Sequence, residues 1–433
     1  MAVKMKDSGI EWIGEIPEGW KISKVKYFYQ SQLGKMLQPS QQSNNESLEK
    51  YLCAINITWD GIKNQNEIKE MWFNEREKKI FSVKQGDLLV SEGGDAGRAC
   101  ICDIDFPCYI QNAVHRVRAL EKATNEYLYY WMYVLKAIGY IDLLCNKATI
   151  MHFTQDKLLN IDFPVAPIAA QGRIAGYLDQ KCSDIDKVIS AKQRQNELLR
   201  EQRQSIIYEA VTKGLDKNVK YKDSGIEWIG GMPYTWKCRR LKYHVTINPT
   251  TTLIKEFLDD DTEVSFVPME NLQNGYHYIS AIPFSKVKNG YTVFVEGDIL
   301  LAKVTPCFEN GNIAIAKDLI KGIGFGSTEI LVIRCRSINP RFTYYCLQNP
   351  TFKERAVAEM YGVAGLKRIP PLFVENSFYP FPTPPVQKCI ADFLDQRCAE
   401  IDRILNTNNQ IIEKLKEYRR SIIYEAVTGK IEV

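Results

Sequence analysis

The sequence predicts an α+β chain: two mixed α/β domains joined by two long helices that form an antiparallel coiled coil, with pseudo-two-fold symmetry. Three observations predict it. A block near the start returns in mid-chain. A second block closes each half at the same offset. The stretches between the blocks diverge.

The first block, Lys6 to Gly14, returns residue for residue as Lys222 to Gly230. Pro17, Trp20 and Lys21 align more loosely with Pro233, Trp236 and Lys237. At the end of each half Gln171, Ile174, Ala175 and Leu178-Asp179-Gln180 align with Gln387, Ile390, Ala391 and Leu394-Asp395-Gln396. Ser205-Ile206-Ile207-Tyr208-Glu209-Ala210-Val211-Thr212 aligns with the identical octet starting at Ser421. Residues 28–165 and 244–380 barely resemble each other. A duplication explains the blocks, and divergence confined to the middles suggests one job done on two different targets. The boundaries that follow are a first domain 1–165, a first helical spacer 166–213, a linker 214–221, a second domain 222–382 and a second helical spacer 383–433.

Each spacer reads as one helix, over 171–212 and over 387–428. Good helix formers dominate, prolines precede and glycines (Gly214, Gly429) follow. Apolar residues recur every seven positions. One seam row is Leu178, Ile185, Lys192, Leu199 and Ile206, matched by Leu394, Ile401, Asn408, Leu415 and Ile422. A second row reads Lys181, Val188, Gln195 and Gln202, matched by Arg397, Ile404, Ile411 and Tyr418. Lys192 and Asn408 are polar at one seam position, which costs stability and fixes register. The competing reading is two amphipathic helices, each packed on its own domain. Length argues for mutual packing, since about 42 residues at 1.5 Å each span roughly 63 Å.

The middles alternate short apolar runs with turn signals such as Gly86-Asp87, Asn289-Gly290 and Gly297-Asp298, which read as strands and hairpins. Segments 124–145 and 340–361 read as helices. Two loops follow equivalent strands. Ser91-Glu92-Gly93-Gly94-Asp95-Ala96-Gly97-Arg98 is one, and Lys303-Val304-Thr305-Pro306-Cys307-Phe308-Glu309-Asn310-Gly311-Asn312 is the other. Small residues, backbone N–H groups and a cation suit close approach to phosphates or base edges. The DNA-binding candidates are Ser91, Gly93, Gly94, Arg98, Asn112, Lys147, Thr149, Lys303, Thr305, Glu309, Asn310, Lys367 and Arg368. A solvated turn is the competing reading at any single position.

Composition excludes several classes. Hydrophobic content of 45%, charged content of 25% and a net charge of +4 are ordinary for a globular chain, and a DNA-binding face can be local. No apolar run approaches 18 residues and the start lacks a hydrophobic signal core, so no membrane role and a cytoplasmic location are expected. Twelve scattered cysteines, none as Cys-x-x-Cys, read as free thiols. His115, His152, His244 and His277 are not spaced as a metal pair, and no metal site is expected. Asn248-Pro249-Thr250 and Asn349-Pro350-Thr351 lack the second proline and the aromatic of an adenine-methylation motif. No Walker loop and no Gly-x-Ser-x-Gly elbow occurs, so no catalytic residue is assigned.

These segments resemble the specificity subunit of type I restriction–modification systems over essentially the full length. The resemblance is carried by Asp7 to Trp20 and its repeat, by Gly297-Asp298-Ile299-Leu300-Leu301-Ala302-Lys303 running on to Gly311, and by Gly324 to Glu329. Proline-rich entries into Gln-led helices ending Ser-Ile-Ile-Tyr-Glu-Ala-Val-Thr complete it. It implies two target-recognition domains, each reading half of an asymmetric, interrupted double-stranded DNA sequence, with the helices setting the gap. Two methylation subunits would supply S-adenosylmethionine and adenine-N6 methylation. Two restriction subunits would supply ATP- and Mg-dependent translocation and cleavage. This chain would bind no cofactor itself. The first domain's loop, with Gln111 to Arg118 after it, resembles a different variant from the second, so base-contacting residues do not transfer. Two other readings compete. A complete DNA-modifying enzyme needs motifs that are absent, and a purely structural coiled coil predicts no salt-dependent DNA affinity.

Overall fold

The computed structural model describes residues 4–145, 152–250, 258–275, 277–363 and 366–433. The chain is α+β and divides into two compact units. The first comprises Met1–Lys192 with Asn409–Val433, and the second Gln193–Asn408.

At the heart of each unit is a four-stranded sheet. In the first unit the order is Ala99–Ile101, Leu88–Ser91, Val114–Ala119, Tyr29–Leu33. In the second it is Ile313–Ile315, Ile299–Ala302, Ile330–Cys335, Val245–Ile247. Strand for strand the two sheets are the same, although their sequences barely align. The central strands read as unbroken apolar runs (Leu88-Leu89-Val90, Ile299-Leu300-Leu301-Ala302) because both faces are covered, which removes the usual alternation. Leu88 and Val90 face the core built on helix Asn125–Ala137, while Leu89 faces a second apolar cluster with Ile57 and Cys100. Ile299 and Leu301 divide from Leu300 and Ala302 in the same way.

The Gly-Asp turns explain themselves chemically. Gly86 and Gly297 both sit at φ +86°, open to glycine and strained for other residues. Each following aspartate is buried and bridged by a forked arginine on the neighbouring strand of the sheet. Arg118 donates to Asp87 at 2.6 and 2.8 Å, and Arg334 to Asp298 at 2.8 and 2.7 Å. Lys84 and Val295 add backbone N–H bonds to those carboxylates.

Both predicted domain helices are broken. Segment 124–145 forms Asn125–Ala137 and Tyr140–Cys145, parted at Gly139 with φ +76°. Segment 340–361 forms Pro340–Leu347 and Pro350–Ala358, each capped by the asparagine before its proline. Asn349 Oδ1 accepts from Thr351 N, so Asn349-Pro350-Thr351 is a helix start.

The long helices span Ile168–Lys213 and Pro384–Val427, the second beginning inside its proline pair. Within each unit a stretch of one runs antiparallel to a stretch of the other. In the first unit Arg173 Nε donates to Val433 O, and Asp186 pairs with Arg419 at 3.5 Å. In the second, buried Asn408 donates to Asn196 Oδ1 at 2.8 Å and Gln195 Oε1 at 3.1 Å, while Arg203 pairs with Asp402 at 3.7 Å. Leu178, Ile185, Leu394, Ile401, Asn408 and Ile422 are buried, and Lys192, Leu199, Ile206 and Leu415 are half-buried. The second expected row needs correction. Lys181, Val188, Gln195, Gln202, Arg397, Ile404 and Tyr418 are exposed. The inward row lies one residue later, at Cys182, Ile189, Asn196, Arg203 and Ala210 and at Cys398, Leu405, Ile412, Arg419 and Ala426. Small and polar side chains on that row concealed it.

The repeated blocks pack on each other. Ile422, Ile423, Ala426 and Val427 share a core with Ile13, Ile16 and Trp20, and Tyr424 Oη donates to Trp12 O and Ile13 O. Ile207, Ala210 and Val211 do the same with Trp228, Ile229, Met232 and Trp236. Each leading glutamine pins its helix to its domain. Gln171 accepts from Thr124 N and donates to Ala166 O; Gln387 accepts from Asn339 N and donates to Pro382 O. Tyr130 Oη donates to Asp179 at 2.6 Å, and Tyr345 Oη to Asp395 at 2.7 Å.

Candidate nucleic-acid interface

Strand register gathers the candidate loops at one end of each central sheet. In the first unit Leu33 opposes His115, and Ser91 opposes Val114. Chain segments leaving Leu33 and Ser91 therefore emerge beside the turn entering Val114. Glu92 N bonds Ala113 O, Asn112 N bonds Lys35 O, and Gly34 N bonds Val114 O. Segments 34–38, 92–98 and 111–113 thus form one surface.

Their side chains differ in what they offer. Gly94 and Asp95 are exposed at the loop tip, and Gly93 is half-exposed with open space where a Cβ would stand. Ser91 was expected to face DNA; instead it is fully buried with its hydroxyl donating to Gly93 O. Arg98 turns back to Ala54 O at 2.9 Å. Lys136 ties the loop down through Asp95 at 2.8 Å and Ala96 O at 3.2 Å. Asn112 is half-buried and receives Gln111 Nε2 on its Oδ1. Partial burial pushes the Glu92 carboxyl above its ordinary value. Lys147 and Thr149 lie outside the described residues.

Segment 34–38 has a particular build. Gly34 crosses so close to residues 110–111 that an added Cβ would meet the carbonyl oxygens of Ile110 and Gln111 at 2.4 Å. Lys35 is buried, its ammonium bonded to Glu77 at 2.5 Å and to Trp72 O at 2.8 Å. Gln38 is buried too, and its carbonyl accepts from Trp72 N. Between them Met36 is 75% exposed and Leu37 56%.

In the second unit the same sheet end brings together residues far apart in sequence. Lys303 N bonds Glu329 O, Ile369 N bonds Lys303 O, and Thr305 N bonds Lys367 O. Lys367 N in turn donates to Thr305 Oγ1 at 2.9 Å. Arg368 forks onto Glu329 at 2.8 and 2.9 Å. Those bonds, with Lys303 nearby, hold the Glu329 carboxyl below its usual range. Lys303, Thr305, Lys367 and Arg368 are therefore one cluster, with Lys367 exposed. Glu309 and Asn310 stand apart. They are exposed on the turn after cis Pro306 and line a cleft of about 730 Å³ with Arg200, Arg203, Gln348 and Lys353.

Reading the sequence missed two participants. Glu329 lay in a stretch noted only for its likeness to the family. Met36-Leu37 could have been found as an apolar pair at the head of a run rich in Gln, Ser and Asn, 38–45. Among the described residues no group of three or more His, Cys, Asp or Glu side chains is placed to hold a metal ion, and no helix is long and apolar enough to cross a membrane.

Comparison with known proteins bears on the fold and on sequence likeness. Residues 17–200 match the type I restriction modification DNA specificity domain. The chain is 35% identical over 196 residues to the EcoAI specificity subunit of Escherichia coli, covering 42% of this chain and 33% of that one. It therefore spans about a third of that relative. Against the MjaVIII specificity subunit of Methanocaldococcus jannaschii it is 24% identical over 428 residues, 96% of this chain and 94% of the other. Among solved structures, a chain from work on assembly and conformational transition of the type I R-M system superposes with a TM-score of 0.70 at 14% identity, covering 96% of this chain and 99% of that chain. The HsdS subunit from Thermoanaerobacter tengcongensis gives 0.52 at 14% identity, covering 96% and 98%. The duplicated sheets, the Gln-led helices and these matches make the chain similar to the type I restriction enzyme specificity subunits.

Proposed function

We propose that this chain is the non-catalytic DNA-reading subunit of a type I restriction–modification assembly. One observation carries the reading: two sheets of identical strand order present unlike loops at the same end. A duplicated frame with divergent tips suits two half-sites of different sequence. Lys303 and Lys367 neutralise phosphates, and amide and carboxylate side chains of the loops read base edges in the major groove. The long helices set the number of unread base pairs between halves.

Partners supply the chemistry. Two methylation subunits bring S-adenosylmethionine and methylate adenine at N6, and two restriction subunits bring ATP- and Mg-dependent translocation and cleavage. The helix faces that repeat between halves, with Tyr130–Asp179 mirrored by Tyr345–Asp395, support a partner that binds twice. The whole assembly works in the cytoplasm, where its DNA is.

The test is co-expression with the methylation subunit, followed by mapping of methylated adenines by long-read sequencing. One interrupted, asymmetric motif is expected. Random DNA binding by the assembled complex, or methylation by this chain alone, would overturn the reading. Lengthening both helices by one heptad should widen the gap, and an unchanged gap would refute the spacing role.

A further inference from the structure

We propose that the Met36-Leu37 tip of the first unit is a wedge that enters the DNA and parts one base step in the first half of the target. The proposal rests on the DNA-reading role above and adds a mode of contact to it.

The tip is apolar, exposed and held still. Single exposed apolar side chains are ordinary; here two adjacent ones stand between two buried polar residues, Lys35 and Gln38. Those neighbours fix the tip. Lys35 is locked below by its bonds to Glu77 and Trp72 O, and Gln38 is locked by Trp72 N. Gly34 lies flush on residues 110–111, where any side chain would collide with backbone oxygens. A tip already ordered gives up little conformational freedom on insertion.

Its surroundings point to nucleic acid. The carbonyl of Lys35 accepts from Asn112 N, so the tip is bonded to the turn that carries Gln111 and Asn112. After it comes Gln38-Pro39-Ser40-Gln41-Gln42-Ser43-Asn44-Asn45, an uncharged run in which every residue but the proline carries an amide or a hydroxyl. Amide side chains beside an inserted Met or Leu are the equipment of proteins that read the minor groove and kink the duplex. A protein partner fits less well. A stable protein interface needs about 800 Å² per side and an apolar centre, and two exposed residues do not supply one.

The test uses the full chain assembled with its methylation subunit on the mapped target. 2-Aminopurine is placed in turn at each first-half position other than the methylated adenine. With the unaltered chain one position brightens as its neighbour unstacks. The Met36→Ala/Leu37→Ala double variant changes only exposed side chains, so it should fold. It is expected to abolish that brightening and to weaken target binding about tenfold, because the contacts of the inserted side chains and of the kinked duplex must more than offset the few kcal/mol that unstacking a step costs. The slope of log affinity against log salt stays unchanged, because no phosphate contact is lost. No brightening at any first-half position, or brightening that survives in the variant, overturns the wedge. So does a variant that reads DNA normally but no longer holds the methylation subunit, which would make the tip a protein contact. Failure of the unaltered assembly to prefer its target is a different result and would remove the DNA-reading role itself.

Discussion

Replacing Gln387 with alanine should unfasten the second long helix from its domain. Gln387 is 1% exposed and makes two bonds of 2.8 Å, accepting from Asn339 N and donating to Pro382 O. Truncation leaves that N–H and that carbonyl without partners in a dry site, at about 1–3 kcal/mol each. Asn339 is also the cap of helix Pro340–Leu347, so the disturbance reaches both elements. A loss of about 2–6 kcal/mol speeds amide exchange by about 30-fold or more at tenfold per 1.4 kcal/mol. Hydrogen exchange read by mass spectrometry on peptides from 339–347 and 384–398 is the assay. Gln171→Ala should do the same around 124–137 and 168–182 while leaving 384–398 as it was. A change below about threefold at 384–398 would refute the pinning argument. Gln387→Glu adds a signature. Its carboxyl must donate to Pro382 O, so burial and that carbonyl favour the protonated form and raise its folded-state pKa above the unfolded value of about 4.3. The native state then holds a proton the unfolded chain has released. Stability is full below the unfolded pKa and falls as pH rises through the folded one.

Three further outcomes are expected. Lys303→Ala and Lys367→Ala should each lower the slope of log affinity against log salt by about one, as phosphate contacts do, and unchanged slopes would remove both from the backbone-contact set. Asn408→Leu should destabilise the second unit by about 1–3 kcal/mol in denaturant, because the buried Asn196 loses the bond that Asn408 donates, and adding Asn196→Leu should restore the loss; a harmless single variant would deny the pair its role. Burial depresses the pKa of His115, with the bond to Phe153 O opposing it, so the unfolded chain takes up the proton first as pH falls. The first unit should therefore weaken from about pH 7 to pH 5, and His115→Gln should flatten that dependence.

Much of this molecule was legible in advance, and the rest was hidden for physical reasons. The duplication announced two like domains, because residues that pack on each other across a repeat tolerate little change: Trp12-Ile13 with Tyr424, and Trp228-Ile229 with Ile207 and Val211. Leu178 and Leu394 marked one inward row by hydrophobicity alone. The other row carries Asn196 and Arg203, whose burial depends on partners from a distant stretch of chain, and no local pattern could reveal that. At the loops the spacing placed both segments after equivalent strands but could not show the side-chain directions. Ser91 reads as an exposed hydroxyl and is a buried one. Arg368 reads as a free cation and is forked onto Glu329. The Arg368–Glu329 pair joins residues 39 positions apart, beyond the reach of spacing rules.

The division of the chain has a consequence for how it is made. The second unit is one continuous stretch, Gln193–Asn408, whereas the first needs Asn409–Val433 to close. Without Ile422, Ile423, Ala426 and Val427, the core around Ile13, Trp20 and Leu178 stays open, and Tyr127 lacks the Val427 carbonyl that accepts its hydroxyl. A ribosome adding about 5–20 residues per second needs roughly 10–50 s to pass from Lys192 to Val433. For that interval the nascent first half carries a bare apolar seam, and the half that is translated first is the last to finish folding.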